Sequence, residues 1–270
     1  MSKSISLLTL VLCLAGNASD VAQAQDKVLL AVFAHPDDEV SVGPLLARYA
    51  REGVDVHLAI ITRAETFAPQ TDLSPGEEIA ELRVQEARCA ARRLGIKPPI
   101  LLQFDNDLGK RVVPPWATLS RVGGKLSELF AALRPDVVIT WGPDGGYGHA
   151  DHRLTSAIVT ELVQRKVEGA PVHLLYGGIP ADRVPDGPSP GSIPWLPVDM
   201  EYLTVHVPFT QADLDSATEA FSCHVSQYSE QQIEFLSRKS AEVWRGSIYL
   251  RPWNGGVRGN DIFDLKRVGE

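Results

Sequence analysis

Seven consecutive residues, Val28-Leu-Leu-Ala-Val-Phe-Ala34, carry no polar side chain, and the run ends directly in His35-Pro36-Asp37-Asp38-Glu39. A strand with one wet face alternates apolar and polar residues. A strand apolar at every position is covered on both faces, the condition of a parallel sheet held between helices. The sequence that follows has the alternation such a sheet requires. Its patterning predicts a helix over 40–51, a strand over 54–62, a helix over 77–94 ended by Gly95, and a strand over 100–104. A helix over 119–133, a strand over 137–141, a helix over 154–166 and a strand over 172–176 come next. An alternating edge strand is expected over 202–207, helices over 212–224 and 227–244, and an irregular tail after Arg251. The fold class is therefore α/β, with a mostly parallel sheet and helices on both faces, and its ligands are expected at the carboxyl ends of the strands.

Composition narrows the function. With 44% hydrophobic and 22% charged residues the chain can bury a core. A net charge of −8 argues against a nucleic-acid surface and against binding to anionic lipid. Residues 1–24 read as a signal peptide: Lys3, then an apolar stretch over 5–15 broken only by Ser6 and Thr9, then Ala22-Gln23-Ala24 as a cleavage site. Cys13 follows Leu12, which is too large for a lipoprotein site. The expected product is one domain over 25–270, periplasmic or secreted, with no other stretch suited to spanning a bilayer. Cys89 and Cys223 then remain. An oxidising compartment permits a disulfide between them, but the simpler expectation is two small buried apolar side chains. A Pro- and Gly-rich segment over 187–197 is expected as a surface loop or a lid over substrate.

Two clusters carry chemistry. The first is His35 to Glu39, at the end of the first strand. Packing does not call for five polar or rigid residues there, and His35 and Asp38, three apart, can be aimed at one point by a tight turn stiffened by Pro36. The second is Gly145-Gly146-Tyr147-Gly148-His149-Ala150-Asp151-His152, after the fourth strand, with His149 and His152 again three apart. Taken singly, Asp37 or Asp38 reads as a helix cap, Asp151 as a cap for a helix from Leu154, and Tyr147 as a turn aromatic. Taken together at strand ends they supply two histidines and a carboxylate for a metal, with an acid and a histidine to spare. That is the inventory of metal-assisted hydrolysis.

Ala34-His35-Pro36-Asp37-Asp38-Glu39 resembles the signature of the LmbE-like, or PIG-L, deacetylases, and Gly146 to His152 resembles their second motif. The second motif is especially similar to the form in the family's mycothiol-pathway sugar deacetylases, with Ala150 in place of a proline. Glu81-Leu82-Arg83 through Gly95 is similar to the family's arginine-bearing helix, and His224-Val225-Ser226-Gln227 to an HxSQ element. The resemblance implies a Rossmann-like fold with one zinc ion per chain, other divalent metals being possible, held by His35, Asp38 and His152. It implies Asp37 as general base, His149 as oxyanion stabiliser or acid with Asp151 holding it, Tyr147 assisting at the tetrahedral stage, and Arg83 as a substrate contact. The implied substrate is an N-acetylated sugar or glycoconjugate. The chain departs from the family at Ala64, where a glycine is usual after Thr-Arg.

Two other function classes fit part of the pattern. Two histidines and a carboxylate also describe non-haem iron(II) oxygenases, but those sites sit in β-rich barrels and have no use for the spare acid and histidine. A non-catalytic sugar- or nucleotide-binding module is the other. Its phosphate loop is missing: the first turn reads HPDDE rather than GxGxxG, and a carboxylate pair repels phosphate. Of the remaining histidines, His57, His173 and His206 read as strand residues, whereas His224 is placed between a role behind the site and a helix end.

Overall fold

The computed structural model describes residues 27–110, 116–184 and 196–269. The leader over 1–24, with Cys13 and the cleavage site, lies outside them, as does most of the loop over 187–197. Among the described residues no helix is long and apolar enough to cross a membrane.

Seven strands form the sheet: β1 (Val28–Phe33), β2 (Asp55–Thr62), β3 (Ile100–Phe104), β4 (Val137–Thr140), β5 (His173–Gly177), β6 (Val205–Pro208) and β7 (Ser247–Pro252). Their order is β3-β2-β1-β4-β5-β7-β6. The first five are parallel; β7 runs antiparallel to both neighbours. A short β8 (Val257–Arg258) pairs with β9 (Lys266–Arg267), so the tail expected to be irregular holds a small hairpin.

Alternate residues of β1 serve opposite cores, as the unbroken apolar run requires. Leu29, Ala31 and Phe33 pack with helix α1 (Gly43–Arg51), with α2 (Glu77–Leu94) and with α5 (Gln211–Phe221). Leu30 and Val32 pack with α3 (Ala117–Leu133) and α4 (Ala150–Gln164). Each fully buried Leu or Phe here contributes about 1.5–3 kcal/mol through the water it sheds. The last helix is α6 (Glu230–Trp244).

Three boundaries and one unexpected strand stand out against the sequence expectation, each for a local reason. The first helix begins as a 3-10 turn over Asp38–Val42 before α1. Helix α4 starts at Ala150 rather than at Leu154, with His149 as its cap, so the second motif ends in the first helical turn. Helix α6 starts at Glu230 rather than three residues earlier because Ser229 and Gln232 cap one another's backbone N–H groups. Strand β7 was hidden from pattern reading: it is short, follows a helix after one turn, and is buried at Ile248, Tyr249 and Leu250 without alternation.

Cys89 of α2 and Cys223, just past α5, are joined in a disulfide with Cα atoms 5.8 Å apart. This corrects the expectation of two free buried thiols. The pairing joins positions 134 residues apart, which only the packing of α2 against α5 brings together.

Candidate active site

Strands β1 and β4 are hydrogen-bonded neighbours, with Val32 opposite Thr140, and the chain leaves them toward opposite sides of the sheet. A crevice opens at such a switch point, and both motifs sit in it. Buried threonines brace the strand ends: Thr62 Oγ1 donates to Ala34 O at 2.9 Å and Thr140 Oγ1 to Val32 O at 2.7 Å.

Asp38 turns back over the end of β1. Its Oδ2 accepts the N–H groups of Ala34 and His35 and the indole Nε1–H of Trp141, each at 3.0 Å. Its Oδ1 lies 3.1 Å from His152 Nε2. Burial works to raise the Asp38 pKa, but the adjacent His152 and His35 rings outweigh it and hold the group well below the usual carboxylate range.

The imidazoles are oriented from behind. His152 Nδ1 lies 3.1 Å from the carbonyl of Gly145, a group that only accepts, so Nδ1 carries the proton and Nε2 the lone pair. His35 Nε2 lies 3.3 Å from Asp151 Oδ2, which assigns its proton to Nε2 and leaves Nδ1 free. His35 Nδ1 and His152 Nε2 are 3.1 Å apart, and His35 Nδ1 is 3.7 Å from Asp38 Oδ2. Without a metal, His35 keeps a proton among these atoms: burial works to lower its pKa, but Asp151 and Asp38 outweigh it and raise it to about 10. A metal ion would take that proton's place among the three donors. Donor atoms bound about 2.0–2.1 Å from a tetrahedral zinc stand about 3.3 Å apart, so the residues present fit such an ion. His35, His149 and His152 also offer ring nitrogens within 4.8 Å of one another. Asp38 Oδ1, 3.1 Å from His152 Nε2, is the better third donor, because His149 Nδ1 already accepts the N–H of Asp151 at 3.2 Å.

The Asp151 carboxylate faces His35, whereas the sequence reading had it holding His149. Helix α4 begins at Ala150, so the Asp151 side chain points inward, where it also accepts the N–H groups of Asp107 and Leu108 at 2.9 and 2.8 Å. His149 is set instead by the backbone of Asp151, which places its ring proton on Nε2. Burial and the neighbouring His35 and His152 lower its pKa, so it is a neutral N–H donor. Tyr147 lies in a glycine-rich turn, its ring centroid 5.8 Å from that of His149. Gly146 of that turn has φ +73, and a Cβ there would stand 2.6 Å from the Trp141 ring, so no other residue fits.

Asp37 stands beside this cluster with a left-handed backbone, φ 116. Burial pushes its pKa up, Arg83 opposes, and Asp38 adds to the rise. Arg83 Nη2 is 3.2 Å from Asp37 Oδ2. Its guanidinium also donates to the carbonyls of Pro36 and Phe67. Arg83 is 3% exposed, and its Nε has no partner among the described residues.

Sequence reasoning missed two groups. Trp141 donates to Asp38 and stacks on His152 with centroids 4.4 Å apart; its signal was an aromatic at the end of a buried strand. The other group is Glu39, Tyr228 and the environment of His224: His224 Nε2 lies 2.6 Å from Glu39 Oε1, and Tyr228 Oη is 3.4 Å from Asp37 Oδ2. Only the HxSQ resemblance hinted at that segment. His57 stays in β2, paired with Asp55. Ala64, where the family has glycine, adopts φ 50, the conformation that explains the glycine elsewhere.

The family model "PIG-L: GlcNAc-PI de-N-acetylase" matches residues 30–163. A 1D-myo-inositol 2-acetamido-2-deoxy-alpha-D-glucopyranoside deacetylase of Rhodococcus jostii (strain RHA1) is 32% identical over 242 residues, covering 75% of this chain and 82% of that protein. A relative of the same description from Mycobacteroides abscessus is 34% identical over 154 residues, 51% of this chain and 55% of that protein. Among solved structures, an N,N'-diacetylchitobiose deacetylase from Pyrococcus horikoshii aligns with a TM-score of 0.65 at 19% identity, covering 89% of this chain and 88% of that one, a likeness of fold. Matched over most of a relative's length, and with the family model spanning both motifs, the chain belongs to the PIG-L, or LmbE-like, family of N-deacetylases.

Proposed function

We propose that this protein hydrolyses the N-acetyl group of an amino sugar or sugar conjugate, using one zinc ion held by His35 Nδ1, Asp38 Oδ1 and His152 Nε2. The observation that carries the reading is the meeting of His35 Nδ1, Asp38 Oδ1 and His152 Nε2 beside a carboxylate of raised basicity and a neutral imidazole N–H. When bound, the metal supplies positive charge that polarises the amide carbonyl and makes water more acidic. Asp37 takes the proton of the attacking water. Its contacts with Arg83 and Tyr228 both fall on Oδ2, which leaves Oδ1 for that proton. His149 offers Nε2–H to the oxygen on which charge builds, a task in which a fixed donor is worth several kcal/mol. Tyr147, its phenol held well above the ordinary value by burial and the two aspartates, stays protonated and serves the same stage. The proton taken by Asp37 passes to the leaving nitrogen, and the products are a free amine and acetate.

The substrate class is supported by the relatives, which are named as deacetylases of N-acetylated sugars. Export to the periplasm or beyond is supported by the leader-like residues 1–24 and by the Cys89–Cys223 disulfide, a bond at home in an oxidising compartment. The test is amine release from a panel of N-acetylated sugars, N-acetylglucosamine among them, by zinc-loaded and chelator-treated protein. Release that chelation abolishes and zinc restores is expected. Release indifferent to chelation would overturn the reading.

A further inference from the structure

Asp37 carries a side chain yet sits at φ 116, ψ −16. Such strain persists only where the surroundings impose it. One restraint is Arg83, on the Pro36 carbonyl and the Asp37 carboxylate. The other is Glu39, whose Oε2 accepts the N–H of Asp37 at 3.0 Å. Glu39 is 1% exposed, and its second oxygen lies 2.6 Å from Nε2 of His224, which is fully buried. His224 Nδ1 has no partner among the described residues, so Glu39 is the polar contact that ring makes. The segment bearing His224 is itself fastened to α2, the helix that carries Arg83. Cys223 is bonded to Cys89, and Ser226 gives its N–H and hydroxyl to Glu86 at 2.7 and 2.8 Å. A single carboxylate thus bridges the backbone of Asp37 to a segment 185 residues beyond Glu39.

We infer that Glu39 and His224 are positioning residues for Asp37: the Glu39 carboxylate, held at one oxygen by His224, fixes the Asp37 backbone in the left-handed conformation that aims its carboxylate into the crevice. The inference rests on the reading of Asp37 as the base. Its rival is a buried ion pair that serves the fold alone. The two differ in what they ask of residue 39. A bridge needs its length, whereas an ion pair needs its charge.

The test compares Glu39→Asp with Glu39→Gln in the zinc-loaded mature protein. It measures kcat and KM on N-acetylglucosamine, bound zinc, melting temperature, and the Asp37 φ in a crystal structure of the Asp variant. Aspartate is one methylene short of spanning both contacts; glutamine loses the charge but can keep both, its carbonyl accepting the Asp37 N–H and its NH2 donating to His224 Nε2 once that ring carries its proton on Nδ1. E39D is expected to lose about tenfold to a hundredfold in kcat with KM and zinc content held to within about twofold, and E39Q to lose less. In the E39D crystal the Asp37 backbone leaves the left-handed region, a readout that does not depend on the substrate chosen. The double variant E39D/H224Q loses no more than its worse single, since both act through one bridge. E39Q slower than E39D, losses that follow melting temperature, or an unmoved Asp37 backbone overturns the inference. Asp37→Asn run in parallel separates the two levels. If D37N keeps its kcat, the base reading itself is wrong. If D37N loses kcat and E39D does not, only the positioning role fails.

Discussion

Asp151 Oδ2 lies 3.3 Å from His35 Nε2, and this contact determines which nitrogen of His35 is left for a metal. The carboxylate is fixed by two loop N–H groups and held below the usual carboxylate range, burial being outweighed by His35 and those amides. It therefore takes the ring proton on Nε2 and turns Nδ1 toward His152 and Asp38.

Removing that orienting group should cost metal affinity. Asp151→Ala is expected to bind zinc about tenfold to a hundredfold more weakly, read by competition with a chromogenic chelator. Activity at saturating zinc should recover further than activity at limiting zinc. Unchanged affinity would mean that His35 is oriented by something else.

Removing the base should cost rate and leave the metal. Asp37→Asn is expected to lower kcat by about a hundredfold to ten-thousandfold with one zinc still bound. Metal content by elemental analysis distinguishes this from a collapsed site.

The parts of this site that were legible in the sequence are those that a strand end displays. An unbroken apolar run fixed β1 as central, and polar residues stacked against its end announced a site before any contact was known. The orientations were not legible. The family resemblance implies that Asp151 holds His149, but a helix that begins at Ala150 turns its carboxylate toward His35. Arg83 reads, by family resemblance, as a substrate contact, and its contact with Asp37 depends on how α2 packs. The disulfide and the Glu39–His224 pair join residues 134 and 185 positions apart, and no local pattern encodes such meetings. Strand β7 escaped because its neighbours, rather than its own alternation, bury it.

The disulfide should matter for stability. A loop of 134 residues closed in the unfolded chain corresponds to about 5 kcal/mol in the chain-entropy picture, with about 2–4 kcal/mol typical of measurement. The C89S/C223S variant is expected to unfold at lower denaturant by an amount in that range, and reductant should lower the midpoint of the parent protein and leave that of the variant unchanged. Equal midpoints in all three samples would show that the two sulfurs are not joined in solution.

A second tie links α1 to α5. Arg51 Nε and Nη2 donate to Asp213 Oδ1 and Oδ2 at 2.8 and 3.0 Å, and Thr210 donates to the same carboxylate. Burial works against the charge, but Arg51 and Thr210 win and hold the Asp213 pKa below its ordinary value. A carboxylate with a depressed folded pKa stabilises above its unfolded value and loses that contribution as pH falls through the folded one. Asp213→Asn should thus cost about 1–3 kcal/mol at pH 7, and the gap to the parent protein should close as the solution is acidified below about pH 4. A gap that stays constant with pH would place the cost in packing rather than in the charge.

The two motifs hang from adjacent, hydrogen-bonded strands of one sheet, not from two bodies facing each other across a cleft. Many enzymes assemble their catalytic groups by domain closure, so that the site is incomplete while it is open. Here the ends of β1 and β4 are hydrogen-bonded side by side. The donors proposed for a metal therefore stand past the ends of neighbouring strands, and their spacing is set by the sheet itself rather than by bringing two bodies together.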